Sequence, residues 1–130
     1  MARITVVNDN PDFLALVADI LETDEHVTTL VDGDLPDALE RVRASNPDVL
    51  MIDLRMGSDR LHGWEIAQEV RSDPSLEGLP VLVCSADVEG LKSIQDDLDA
   101  SRNVASLVKP FDIDKLTAAI GQLVAGAGAR

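Results

Sequence analysis

Residues 2–16 read ARITVVNDNPDFLAL, and the order of events within them sets the architecture. The short run Ile4-Thr5-Val6-Val7 has the length and apolar character of a strand buried on both faces of a sheet. It stops at three short polar residues, Asn8-Asp9-Asn10, and a proline. Asn10, Pro11 and Asp12 then read as an N-cap, a first-turn proline and an early acid, a helix start signal. Phe13, Val17, Ile20 and Leu21 follow on one helical face. The stretch is a strand, a tight polar turn and a helix.

The same unit recurs along the chain. Further apolar runs occupy residues 27–31, 49–52, 81–84 and 104–108. All but the second are nearly continuous, as expected for strands buried on both faces of a parallel sheet, whereas HVTTLVDG (26–33) is more polar and fits a sheet edge. Between the runs lie helical faces: Leu35, Ala38, Leu39 and Val42; Trp64, Ala67 and Val70; Leu91, Ile94 and Leu98; and Ile113, Leu116, Ile120, Leu123 and Val124. Asp34 ahead of Leu35-Pro36-Asp37, and Asp112 ahead of Ile113-Asp114, are expected caps. Strict alternation with short connections predicts an α/β fold, a doubly wound (βα)5 domain. Its five-stranded sheet is parallel, with right-handed crossovers and helices on both faces. The expected domain spans residues 1–125, with 126–130, within the closing AGAGAR, as a flexible tail.

Bulk properties narrow the function. The chain has 130 residues, 45% of them hydrophobic, enough for a single core. With 24 acids against 11 bases its net charge is −13, which repels nucleic acid and anionic membrane surfaces. A single cysteine, Cys84, excludes an internal disulfide and a thiolate zinc site, and its apolar setting reads as a small buried hydrophobe. No leader or spanning apolar segment is visible, so a cytoplasmic location is expected.

In a sheet of this kind ligands bind beyond the carboxyl ends of the strands. Asn8, Asp9 and Asn10 follow the first run, Asp53 the third, Ser85 the fourth, and Lys109 with Pro110 the fifth. Singly, each is an ordinary turn or cap residue. Together they put two carboxylates, an amide, a hydroxyl and an ammonium on one sheet edge. Hard carboxylate oxygens with waters suit Mg2+, and no Gly-rich phosphate loop is present. A carboxylate beside Mg2+ can act as a nucleophile toward phosphorus, with Lys109 and Ser85 contacting the phosphoryl oxygens.

In order and spacing, VVNDNPDFL, VLMIDLRM, VLVCSADVEG and LVKPFD resemble the four signature blocks of the response-regulator receiver domain of two-component signalling. The resemblance covers residues 3 to about 124. It implies the flavodoxin-like receiver fold with strand order 2-1-3-4-5, and Asp53 as acceptor of a phosphoryl group from a histidine kinase or phosphotransfer protein. It implies Mg2+ held by Asp9, Asp53 and the Arg55 backbone carbonyl, with Asn8 acting through a water. Ser85 takes the switch hydroxyl position, Lys109 contacts the phosphate, and the Lys109–Pro110 bond is expected to be cis. Signalling would pass through residues 91–100, 104–108 and 112–124 to an output protein that the sequence does not identify. A homodimer is left open, as is a longer chain carrying an output domain.

Four departures from the family pattern stand out. Asn8 replaces the usual first acid, and loss of an outer-shell group costs about 10–100-fold in metal affinity, so a weakened Mg2+ site is expected. Gly57 stands where proline is usual, in a lengthened loop that also carries His62. Ser106 replaces the aromatic that commonly swings inward with the switch hydroxyl. Arg55 and Asp87, each two residues past a site residue, are expected to modulate dephosphorylation, pairing across the mouth of the site. The competing function is a pseudo-receiver, a phosphorylation-independent binding module, favoured by Asn8, Gly57 and Ser106. A Mg2+-dependent phosphatase-type enzyme is disfavoured because Arg55 stands where its second acid belongs.

Overall fold

The structure, a computed structural model, describes residues 2–54, 56, 62–100 and 103–128. Five strands form one parallel sheet: β1 (Arg3–Asn8), β2 (Val27–Asp32), β3 (Val49–Asp53), β4 (Val81–Ser85) and β5 (Val104–Val108). Their order is β2-β1-β3-β4-β5, with β2 at an edge as its polar sequence requires. The helices are α1 (Pro11–Thr23), α2 (Ala38–Ser45), α3 (His62–Ser72), α4 (Val88–Ser93), α5 (Gln95–Ala100) and α6 (Ile113–Gly128). A 3-10 turn, Pro74–Leu76, follows α3.

The period of two along each strand divides the apolar side chains between two cores. Ile4 and Val6 of β1, Val49 and Met51 of β3 and Leu82 of β4 pack with Val17 and Leu21 of α1 and Leu116 and Ile120 of α6. Val7, Leu50, Ile52 and Val83 point the other way, onto Val42 of α2, Ala67 and Val70 of α3, and Leu91, Ile94 and Leu98. Both faces of the central strands are therefore buried, which is why their sequences are apolar without alternation.

The structure corrects the expected elements in four places. The second helix starts at Ala38 after Asp37, not after Asp34, because the chain leaving β2 first turns on Asp32. Its Oδ1 accepts the Asp34 N–H at 2.9 Å and its carbonyl the Leu35 N–H at 3.2 Å, so residues 33–37 turn twice before the helix begins. The fourth helix is two. The Ser93 hydroxyl donates to the Gly90 carbonyl at 2.6 Å and the Ile94 N–H turns to Leu91, which breaks the ladder at Ile94. Leu91, Ile94 and Leu98 are nonetheless all buried.

The fifth strand, at the second edge as the order 2-1-3-4-5 implies, is not buried on both faces as its run of residues suggested. Among the described residues it pairs only with β4, and its Val108 is 48% exposed. The last helix runs to Gly128, past the expected boundary at 125. Asn10 caps α1 as read, its side chain accepting the Asp12 and Phe13 N–H groups.

Candidate functional site

The parallel register aligns the carboxyl ends of the strands. Asn8 lies across from Asp32, Asp53 from Cys84, and Ser85 from Val108. At that edge the side chains converge on Asp53, whose side chain is 11% exposed. The Lys109 ammonium donates to Asp53 Oδ2 at 2.5 Å, and the Asn8 amide Nδ2 donates to the same oxygen at 2.9 Å. Asn8 itself is buried, and its Oδ1 accepts the Asn10 backbone N–H at 2.8 Å. A half-buried Asp9 follows Asn8 directly.

Lys109 reaches Asp53 because its stem is held from two sides. Its backbone N–H donates to the Ser85 carbonyl at 2.9 Å, and its ammonium lies 4.0 Å from the centre of the Phe13 ring. The following peptide bond, Lys109–Pro110, is cis. Phe13 in turn meets Phe111 edge to face, ring centres 6.2 Å apart. Phe13 thus presents a π face to the ammonium, a contribution that its place in the apolar stripe of α1 did not reveal. An aromatic in the first turn after Asn8-Asp9 was the available signal.

Ser85 is buried, and its hydroxyl oxygen accepts the Asp87 N–H at 2.9 Å. Asp87 caps α4, its Oδ1 accepting the Gly90 N–H at 2.9 Å. The Ser85 hydroxyl and the start of α4 are therefore one hydrogen-bonded turn. Arg55 and Gly57 lie outside the described residues, so the Arg55 carbonyl and the expected Arg55–Asp87 pair do too. His62 opens α3 with its Nε2 3.2 Å from the Gly33 carbonyl, tying this helix to the turn after β2. Ser106 is exposed on β5.

Two neighbours shape the site without touching the chemistry. Gly63 packs so tightly on the end of β3 that a Cβ there would lie 1.6 Å from the Asp53 carbonyl oxygen. Its N–H donates to the Leu54 carbonyl at 3.0 Å, fixing where β3 ends. Cys84 beside Asp53 is buried, and burial pushes its thiol up to about 12, with Lys109 opposing and Asp53 adding to the rise. It is an inert apolar neighbour at neutral pH.

Among the described residues no three His, Cys, Asp or Glu side chains gather as a metal site. Mg2+ does not require such a group, since it keeps several waters and takes one or two carboxylates. Asp9 and Asp53 are hard oxygen donors of that kind and fit it.

Residues 4–121 match the response regulator receiver domain family, and the chain belongs to that family. Protein Rrf1 of Nitratidesulfovibrio vulgaris is 32% identical over 128 residues, covering 95% of this chain and 83% of Rrf1. Hybrid signal transduction histidine kinase D of Dictyostelium discoideum is 29% identical over 124 residues; the match covers 93% of this chain but only 7% of the kinase. The receiver domain of sensor histidine kinase PA1611 from Pseudomonas aeruginosa, described with a magnesium ion coordinated in its active site cleft, shares the fold. Its TM-score is 0.76 at 23% identity, over 95% of this chain and 98% of that one.

The chain is thus a two-component receiver domain related to those of histidine kinases. Such domains are signalling modules that meet histidine kinases or phosphotransfer proteins. No helix among the described residues is long and apolar enough to cross a membrane.

Proposed function

We propose that this domain takes a phosphoryl group onto Asp53 from a histidine kinase or phosphotransfer protein, and signals by a change at its β4–α4 and β5 surface. The observation that carries the reading is the Asp53 carboxylate held by the Lys109 ammonium and the Asn8 amide at a strand end beside Asp9.

An Asp53 carboxylate oxygen attacks phosphorus in line. A P–O bond forms to Asp53 as the bond from phosphorus to the donor breaks, and the donor keeps the electron pair. Lys109, released from full neutralisation of the carboxylate, turns its charge to the phosphoryl oxygens. Ser85 Oγ, now accepting the Asp87 N–H, donates its own proton to one of them. Asp9, Asp53 and the Arg55 carbonyl would hold Mg2+, which when bound supplies positive charge against the same oxygens. Because Ser85 and Asp87 share one turn at the start of α4, drawing the hydroxyl toward the phosphoryl group pulls on that helix. The half-exposed Val88 and Val108 beside it supply apolar surface for a partner.

A cytoplasmic setting suits this role. A pseudo-receiver is the second reading, favoured by the Asn8 bond to Asp53, which satisfies the acceptor carboxylate without any ligand. Intact mass after incubation with acetyl phosphate and Mg2+ tests the choice. One added phosphoryl group on the native protein and none on Asp53→Asn supports phosphorylation, and no adduct on either supports the binding module.

A further inference from the structure

We infer that the Asn8 amide is a resident hydrogen-bond partner of Asp53 with which Mg2+ must compete, and not an acceptor for the water shell of the ion. The inference rests on reading Asp9 and Asp53 as a Mg2+ site. The orientation of Asn8 is fixed by chemistry: the Asn10 backbone N–H can only donate, so the atom it meets at 2.8 Å is Oδ1. Nδ2 therefore faces Asp53 Oδ2, at 2.9 Å, inside a residue only 2% exposed.

That same carboxylate oxygen already receives the Lys109 ammonium at 2.5 Å. Its charge is balanced by a cation and its second donor is a neutral amide, so the resting pocket is satisfied without metal. An acid at position 8 would instead set an oxygen against Asp53 Oδ2 at the same spacing with no proton between, a pocket that needs a cation to be stable. In this chain a cation that draws on the Asp53 carboxylate weakens the amide bond and gains no negative charge from Asn8 in exchange.

The two roles for Asn8 predict opposite signs for one variant. Asn8→Ala removes the donor and adds no charge, so calorimetric titration with Mg2+ should show binding about 2- to 10-fold tighter than native, the worth of one ordinary hydrogen bond. If Asn8 served the water shell, the same variant would bind Mg2+ more weakly, and that result overturns the inference. Asn8→Asp should bind more tightly still.

Melting in EDTA gives a readout free of metal. Asn8→Asp should melt lower than native by on the order of 2–8 °C, and saturating Mg2+ should restore it. A variant as stable as native in EDTA overturns the inference, as does absence of Mg2+ binding in all three proteins. The acetyl phosphate reaction of the native protein separates this from the reading it rests on. A missing adduct with the Asn8→Ala sign as predicted removes the phosphoacceptor role alone, and an adduct with the opposite sign removes this inference alone.

Discussion

Lys109 is held in the site by partners of different kinds. The Asp53 carboxylate attracts its charge, while the Phe13 ring, 4.0 Å away, accepts it over a π face that costs little to desolvate. Replacing Phe13 with leucine keeps an apolar side chain and removes the quadrupole. Phe13→Leu should lose about 0.5–1 kcal/mol in chemical denaturation and should slow acetyl phosphate labelling several-fold. Unchanged labelling would mean the ring only fills space.

The charged members of the site could be read from the chain because each follows an apolar run directly, as Asp53 follows Val49–Ile52 and Lys109 follows Leu107-Val108. The direction of the Asn8 amide could not. It depends on the Asn10 N–H two residues on, a contact that only the folded turn creates.

At the scale of the element, the junction of β3 and α3 is the tightest place in the described structure of the site. A methyl at Gly63 would strike the Asp53 carbonyl, which is backbone and cannot rotate away. Gly63→Ala should therefore destabilise by about 1–3 kcal/mol or more and displace the acceptor, so that its phosphorylation falls further than its stability does. Equal stability in urea denaturation would contradict the packing.

The end of α3 and the last turn of α2 are joined by Asp73, which accepts from Arg43 at 2.5 Å as well as from Ser75. The Ser75 hydroxyl and N–H, and then Arg43, hold the Asp73 carboxyl below its usual range. A lowered carboxyl stabilises the fold above its unfolded value, about 3.9, and loses that contribution as pH falls through the lower folded value. Asp73→Asn should accordingly melt closer to native at pH 3 than at pH 6, and an equal gap at both would refute the linkage.

Strand runs and helical faces were legible at this scale because burial on a period is written directly in residue type. The starts and breaks were not. Asp34 has the composition of a cap, yet its own N–H is taken up by Asp32 in a turn, and the hydroxyl of Ser93 ends α4 by a bond that no periodicity reveals.

At the scale of the whole molecule, the order β2-β1-β3-β4-β5 puts β1 and β3 side by side, so Asn8 meets Asp53 at the centre of one edge, with Asp9 next along the chain, and Lys109 arrives from the end of the outermost strand. The net charge of −13 on 130 residues is a self-repulsion that added salt screens. Raising NaCl from low ionic strength to about 0.15 M, where the Debye length is near 8 Å, should raise the melting temperature. A fall would show that the ion pairs, Lys109–Asp53 and Arg43–Asp73 among them, outweigh the repulsion.

The central claim is that Asp53 and no other acid receives the phosphoryl group. Its most direct test is to treat the protein with acetyl phosphate and Mg2+, reduce the acyl phosphate with borohydride, and map the product by peptide sequencing in a mass spectrometer. The account predicts homoserine at position 53 and unmodified Asp9. Homoserine at any other position, or none anywhere while a known receiver treated alongside is labelled, would contradict it.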